Sequence, residues 1–172
     1  LTWNQKPINT VYHATNGGVM ASVEEAWSIN QVPYLKMRLD GPKHWTRTVN
    51  LPLSNEKYLR SFLFSKSEAF GSDHPLFRWE RTLDASKIAK QLNQAQKVRT
   101  TFYPRKIKVV SRGSSGRVTS LKIDGHAGTE TFLKLDDIRG VLRQLPSTLF
   151  VVKEIKEGKW LFSGGGFGHG AG

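Results

Sequence analysis

The stretch KIKVVSRGSSGRVTSLKID, residues 106–124, decides the fold class. Lys106–Arg112 and Val118–Asp124 are rich in β-branched residues that recur at the spacing of a half-buried strand. The RGSSGR segment that joins them has the glycine and serine residues of a tight turn. The sequence therefore predicts an antiparallel β-hairpin in the last third of the chain.

Similar patterns predict further elements on both sides of this hairpin. They are a hairpin over residues 1–13, a helix with a Ser22–Glu25 capping box, a helix capped by Ser54, a strand at Phe77–Leu83 before a helix capped by Asp84, a strand at Thr131–Leu133 before a helix capped by Asp136, and a hairpin of Thr148–Ile155 with Lys159–Phe162. Strands and helices mix without regular βαβ alternation. We therefore expect an α+β fold, with mainly antiparallel strands and several short helices, in one domain over residues 1–172. Residues of about 30–105 are expected to form a more helical insertion or subdomain.

Composition narrows the classes of function. The 172 residues suit one domain with one sizeable core. A net charge of +12 favours a polyanionic partner or surface, such as nucleic acid, an anionic cell wall or a membrane face, and the alternative is a basic surface without a dedicated anion site. The absence of cysteine excludes disulfides and thiolate metal sites. No apolar run approaches the ~18 residues that span a bilayer.

The stretch VYHATNGG, residues 11–18, ends a strand-like run with polar residues and two glycines. Gly17 and Gly18 allow a tight loop with positive φ. The imidazole of His13, the hydroxyl of Thr15 and the amide of Asn16 suit hydrogen bonding to sugar hydroxyls or to an acetamido group. A structural histidine is the alternative interpretation of His13.

The chain ends in the glycine-rich run GGGFGHGAG. Gly168 and Gly170 flank His169, so the backbone there can approach a ligand closely. The alternative is a flexible terminus. The run lacks the strand-to-helix context of a dinucleotide fingerprint and the lysine of a phosphate loop, and the five histidines show no metal-ligand spacing. We therefore expect neither a cofactor nor a metal.

Four segments, taken in order, resemble one family. YHATNGG followed by EEAW and PYL, then RGSSGRVTSLKIDG, then IRGVLRQLPSTLFVV, and finally FSGGGFGHGAG are similar to motifs of the family of stage II sporulation protein D and the amidase enhancer LytB. The family's corresponding motifs are Y-H-[SA]-T-x-G-G, E-x-V-W, P-Y-L, a Ser-Gly-Arg-Val hairpin, S-T-x-F and F-x-G-x-G-x-G-H-G-x-G. The resemblance extends from about residue 1 to residue 172.

This resemblance implies a domain of the bacterial envelope, outside the cytoplasm, with the activity of a lytic murein transglycosylase. The substrate would be peptidoglycan glycan strands, cleaved between N-acetylmuramic acid and N-acetylglucosamine to leave an anhydro sugar. One carboxylic acid would protonate the leaving oxygen while a hydroxyl of the muramic acid attacks intramolecularly. The implied glycan-binding residues are His13, Thr15, Asn16, Gly17, Gly18, Ser147, Thr148, Gly168, His169 and Gly170.

The sequence departs from the family in one respect. The family's catalytic glutamate lies in a helix that reads roughly A-x-E-M-P, ahead of an A-x-A-A-R-T-Y stretch, and neither is matched here. We therefore expect the carboxy-terminal part of a catalytic domain that is inactive alone, with the acid in an upstream segment or separate chain. Glu25 is a second-tier candidate for the acid.

Two other classes of function remain as alternatives. One is a non-catalytic wall-binding module that enhances an N-acetylmuramoyl-L-alanine amidase, with that amidase as a partner. The other is a nucleic-acid binder, which the charge suggests. The sequence lacks the aromatic and basic signatures of the common DNA and RNA modules, so no nucleic-acid partner is expected.

Overall fold

Two three-stranded antiparallel sheets organise the chain. A computed structural model describes residues 2–8, 10–27, 30, 32–99 and 101–171. The strands are β1 (Thr2–Trp3), β2 (Lys6–Pro7), β3 (Val19–Met20), β4 (Arg38–Leu39), β5 (Arg78–Asp84), β6 (Pro104–Arg112), β7 (Val118–Gly125), β8 (Glu130–Lys134), β9 (Phe150–Lys156) and β10 (Lys159–Gly165). The helices are α1 (Val23–Ala26), α2 (Lys43–Thr46), α3 (Glu56–Phe64), α4 (Ala85–Gln94) and α5 (Asp136–Val141). The prediction of a mixed α+β fold with antiparallel strands is confirmed.

The predicted hairpins form the two main sheets. β6, β7 and β8 are neighbours in one sheet, and β5, β10 and β9 are neighbours in the other. Leu121 of β7 lies between Val109 of β6 and Leu133 of β8, which places apolar side chains of three strands on one face. Two short pairs, β1 with β2 and β3 with β4, complete the strand pairing.

The largest core cluster joins the two sheets through α4 and α5. Ile88 and Leu92 lie one helical turn apart on α4, and both are fully buried in this cluster with Leu121 and Trp160. Burial of each aliphatic side chain of this kind stabilises the fold by about 1.5–3 kcal/mol. The i, i+4 spacing in the sequence therefore marks the face of α4 that packs on the sheets.

Residues of about 30–105 contain the helices α2, α3 and α4. They are also tied to the rest of the domain. β5 pairs along its whole length with β10, and a second core cluster packs Phe62 and Leu63 of α3 against Leu149 and Val151. This segment therefore shares both sheet and core with the last third of the chain.

The ends of the helices differ from the sequence prediction in three cases. Asn55, not Ser54, caps α3, since its Oδ1 accepts hydrogen bonds from the backbone of Lys57 and Tyr58. Leu135, which has a φ of 46°, precedes α5, so Asp136 is the first helical residue.

At α1, the Ser22 side chain makes no capping bond, and the helix has only four residues. Asp84 does cap α4, accepting from Lys87 N at 2.8 Å, as predicted. The hairpin predicted over residues 1–13 is formed by β1 and β2 alone, with Leu1 and Asn9 outside the described residues. No helix in the described ranges has the length and apolar character needed to cross a membrane.

Candidate functional site

The VYHATNGG loop is shaped by the amide of Asn16. Its Oδ1 accepts a hydrogen bond from Gly18 N at 2.7 Å, and its Nδ2 donates to Asp40 Oδ2 at 2.6 Å. Gly17 and Gly18 have φ angles of 71° and 91°, which favour glycine. A Cβ at Gly17 would meet the carbonyl carbon of Gly165 at 2.8 Å. The two glycines therefore allow both the tight turn and a close approach of the backbone that follows β10.

The glycine-rich tail lies against this loop. Phe167 N donates to Thr15 O at 2.8 Å, and Ala21 N donates to Gly170 O at 2.7 Å. Isolated bridges pair Thr15 with Phe167 and Ala21 with Ala171. The described part of the tail is thus held by backbone hydrogen bonds, unlike the flexible terminus considered as an alternative. Residues from opposite ends of the chain form one surface.

The two histidines meet at the Ala171 backbone, and its hydrogen bonds fix both tautomers. His13 Nδ1 lies 3.1 Å from Ala171 O, and a carbonyl only accepts, so this nitrogen carries a hydrogen. Ala171 N donates to His169 Nδ1 at 3.1 Å, so that nitrogen carries none. Neutral His169 therefore carries its hydrogen on Nε2, and a hydrogen bond to the backbone of Tyr12 acts to raise its pKa. In the neutral rings, Nε2 of His13 is consequently an acceptor and Nε2 of His169 a donor.

Burial favours the neutral form of both imidazoles. Burial lowers the pKa of His13, against the opposing effect of its hydrogen bond to Ala171. Burial also lowers the pKa of His169, against its hydrogen bond to Tyr12. The rings lie 5.9 Å apart, and Trp27 covers His169 with its ring centroid at 4.4 Å. A positive charge on either ring would be poorly solvated, and charges on both rings would repel each other.

Arg117 supports the loop and the tail from behind. Its guanidinium is completely buried, and it donates to Val19 O and Asn16 O, each at 3.0 Å. Burial lowers the pKa of Arg117 to about 10, so the side chain remains charged at neutral pH. A Cβ at Gly170 would overlap this guanidinium, so the tail passes over it only as glycine. No pattern in the sequence indicates this role of Arg117.

Glu25 is buried away from the groove, in contact with the turn between β6 and β7. Its carboxylate accepts from Ser114 Oγ at 2.7 Å, from Ser115 N at 3.2 Å and from Ser115 Oγ. A Cβ at Gly113 would overlap the same carboxylate. Glu25 thus anchors α1 to the RGSSGR turn. Its use as a catalytic acid stays a prediction, and these contacts favour a structural role.

A groove with a volume of about 500 Å³ opens beside the loop. Its lining includes three residues that the sequence predicted, His13, Thr15 and Asn16. The other lining residues are Ala14, Asp40, Phe70, Gly71, Asp73, His74 and Pro75. The lining thus combines polar acceptors, two imidazoles and one exposed aromatic ring, and side chains of these kinds bind hydroxyl-rich ligands.

The opposite wall of the groove was missed by sequence reasoning. Phe70, Asp73 and His74 belong to a loop that Phe70 N ties to Asp40 O at 2.9 Å. One signal was present in the sequence, because FGSDHP at residues 70–75 places an aromatic ring and two ionisable groups within a turn-forming segment. Loops of this kind often carry binding residues.

Several residues predicted to bind glycan lie behind the groove. Ser147 and Thr148 are buried, and Ser147 Oγ donates to Gly165 O at 2.6 Å. Gly18 is covered by the side chains of Ala69, Phe62 and Phe77. These positions support the backbone around the groove, and a direct contact of these residues with glycan stays a prediction.

The tail residues occupy intermediate positions. Gly168 N donates to Pro146 O, and a Cβ at Gly168 would lie 3.1 Å from that of His13. Gly168 therefore contacts the groove wall through His13, while Gly170 packs on Arg117. Among the described residues, no three His, Asp or Glu side chains are grouped so that they could hold a metal ion.

Comparison with protein families identifies a match over most of the chain. A family described as a domain of unknown function, DUF8618, matches residues 21–172, which include the tail and the RGSSGR turn. No curated protein matches the sequence. Since the family match covers most of the chain, the protein belongs to the DUF8618 family.

Proposed function

We propose that this domain binds peptidoglycan glycan strands in the groove beside His13 and forms part of a lytic murein transglycosylase. The observation that carries the proposal is the contact between the loop and the tail. Both segments resemble motifs of the sporulation protein D and LytB family, and His13 and His169 lie 5.9 Å apart although 156 residue positions separate them along the sequence. The loop lines the groove and the tail packs on the loop, and a polar groove built from segments this distant in sequence is typical of a binding site.

The groove offers the interactions that a sugar chain requires. His13 Nε2 is an acceptor, the carboxylates of Asp40 and Asp73 are further acceptors, and Phe70 presents a ring face. A pyranose combines hydroxyl donors around its edge with apolar faces, so this set of groups matches it. The proposed setting is the bacterial envelope outside the cytoplasm.

Cleavage needs a general acid near the glycosidic oxygen. The acid donates its proton to the leaving oxygen, the bond to the muramic acid C1 breaks, and the C6 hydroxyl of the same sugar closes the anhydro ring and returns a proton. We propose that an A-x-E-M-P segment, encoded upstream or on a separate chain, supplies this acid. The chain as given would then hold the strand.

A second candidate function is binding without cleavage, as in a module that presents wall glycan to an N-acetylmuramoyl-L-alanine amidase. The observation that favours it is the placement of Glu25, whose carboxylate is occupied by Ser114 and Ser115. The two functions share one groove and differ in whether an acid reaches it.

Digestion of purified, peptide-free glycan strands, followed by mass spectrometry, tests both. We would compare this chain with the chain extended by its upstream coding sequence. Anhydro-muramyl products from the extended form alone support the transglycosylase proposal. Products from this chain alone would make an acid within it responsible and would contradict the proposed division of roles. Strand binding without products from either form favours the amidase-enhancing module, and no binding refutes the proposed function.

A further inference from the structure

The groove differs in charge from the protein as a whole. The chain has a net charge of +12, yet none of the ten described residues that line the groove is lysine or arginine. Its formally charged lining groups are the carboxylates of Asp40 and Asp73. Two cations near the loop donate to backbone carbonyls: Arg117 is fully buried and bonded to Val19 O and Asn16 O, and Arg78 is bonded to Gly17 O and Leu63 O. A basic protein thus presents an acidic groove.

The two imidazoles of the groove have opposite hydrogen-bonding roles. His13 Nδ1 donates to Ala171 O, which leaves Nε2 as an acceptor. His74 Nδ1 accepts from Leu76 N at 3.0 Å, so neutral His74 carries its hydrogen on Nε2. One ring can therefore accept a hydrogen bond from a hydroxyl, and the other can donate one to an oxygen. A neutral ligand with several hydroxyl groups satisfies both.

Phe70 adds an apolar surface to this polar lining. Its side chain is 60% exposed, although aromatic rings are normally much more buried. The backbone that carries this ring is anchored, because Phe70 N donates to Asp40 O. An exposed ring on an anchored stretch of backbone, beside acceptors, is suited to stacking against the apolar face of a sugar.

We propose that this groove binds an uncharged, acetamido-bearing sugar of the N-acetylglucosamine type and disfavours a sugar that bears a carboxylate. This inference rests on the proposed function, which it deepens by naming the sugar that occupies the groove. Hydroxyl and amide N–H groups donate to His13 Nε2 and to the two aspartates, and the ring stacks on Phe70. The lactyl carboxylate of muramic acid is repelled by Asp40 and Asp73, so that sugar lies outside the groove.

Three probes test the inference by calorimetric titration at pH 7 and 0.15 M salt. They are chitotetraose, a peptide-free tetrasaccharide of alternating N-acetylglucosamine and N-acetylmuramic acid, and the same tetrasaccharide with its carboxylates converted to methyl amides. We expect chitotetraose and the amide form to bind roughly two- to tenfold more tightly than the carboxylate form, as one or two like-charge contacts near a protein surface would give. Tighter binding of the carboxylate form would overturn the inference.

Variants locate the preference in the groove. Asp73→Asn should reduce the discrimination against the carboxylate form, and Glu157→Gln, which removes an exposed carboxylate outside the groove lining, should leave it unchanged. Phe70→Ala should weaken chitotetraose binding about three- to tenfold through lost stacking. Phe64→Ala, which truncates a ring that is equally exposed but outside the groove lining, is the matched control.

The outcomes separate this inference from the proposed function. If the alternating tetrasaccharide binds and chitotetraose does not, glycan binding stands and the inference is wrong. An unchanged discrimination in Asp73→Asn, or equal losses in the two phenylalanine variants, would also contradict it. If no probe binds to the folded protein, both the proposed function and the inference fail.

Discussion

The contact between the tail and Arg117 makes a prediction that two matched glycine variants can test. Gly170 and Gly128 have nearly the same backbone conformation, with φ angles of 77° and 74°. A Cβ at Gly170 would overlap the Arg117 guanidinium, whereas a Cβ at Gly128 would have no atom within 4 Å. Replacing each glycine by alanine therefore applies the same backbone cost at both sites and adds a steric conflict at one.

The expected magnitudes follow from these contacts. Alanine in the left-handed region costs about 1–2 kcal/mol at either position. At Gly170 the guanidinium must also move away from Val19 O or Asn16 O, and losing one charged hydrogen bond costs about 1.5–3 kcal/mol. We therefore expect Gly170→Ala to lower the free energy of unfolding by about 2.5–5 kcal/mol and Gly128→Ala by about 1–2 kcal/mol.

Urea unfolding followed by tryptophan fluorescence measures both values, with thermal unfolding as a second readout. A difference of this size corresponds to a gap of roughly 3–12 °C between the two midpoints for a domain of this length. Equal destabilisation of the two variants would refute the argument, because it would mean that Arg117 does not support the tail. A smaller effect at Gly170 than at Gly128 would refute it equally.

Three other predictions concern the histidines, a helix cap and Glu25. Burial lowers the pKa of His13 and His169, so the unfolded chain binds protons more readily than the folded one. We therefore expect the free energy of unfolding to decrease as the pH falls from about 6.5 through the folded pKa values of the two histidines. Urea titrations across that range should show a flatter pH profile for a variant with both histidines replaced by Gln. Asp84→Ala removes the cap of α4 and should cost about 1 kcal/mol in the same assay, whereas an unchanged midpoint would exclude a capping role. Glu25→Ala leaves the Ser115 N–H without its acceptor and should cost about 1–3 kcal/mol, which thermal unfolding would detect; a glycan affinity lost without any loss of stability would argue instead for a direct role in the site.

The sequence predicted those elements whose signals are local. The β6–β7 hairpin and α4 were placed within about two residues, because alternation, turn glycines and the Asp84 cap all lie within the segments themselves. The start of α5 was misplaced by one residue, since Leu135 adopts a positive φ that no propensity for leucine would predict. Short-range sequence patterns therefore predicted which elements form, and they predicted the first and last residues of those elements less accurately.

The groove was predicted only in part, because its walls come from distant segments. The loop and the tail were assigned to one groove through a family resemblance, whereas the wall around Phe70 depends on its backbone bond to Asp40, 30 residues earlier. Ser147 was assigned to glycan binding through the same resemblance, yet its hydroxyl is buried in a hydrogen bond to Gly165 O. No pattern within either segment indicates these contacts.

The contrast between the basic surface and the acidic groove suggests that long-range attraction and sugar selection are carried out by different parts of the domain. Attraction of a polyanionic wall by a net charge of +12 acts over about 8 Å at physiological salt and does not distinguish one sugar from the next. Contacts within the groove act only at hydrogen-bond distance, and they depend on the fixed tautomer of His13 and on the carboxylates of Asp40 and Asp73. The surface charge would therefore bring the domain to the wall, and the groove would select the uncharged sugar along each strand. A groove lined by lysines would bind anionic polymers of every kind alike, so the proposed selectivity depends on the absence of Lys and Arg from the described groove lining.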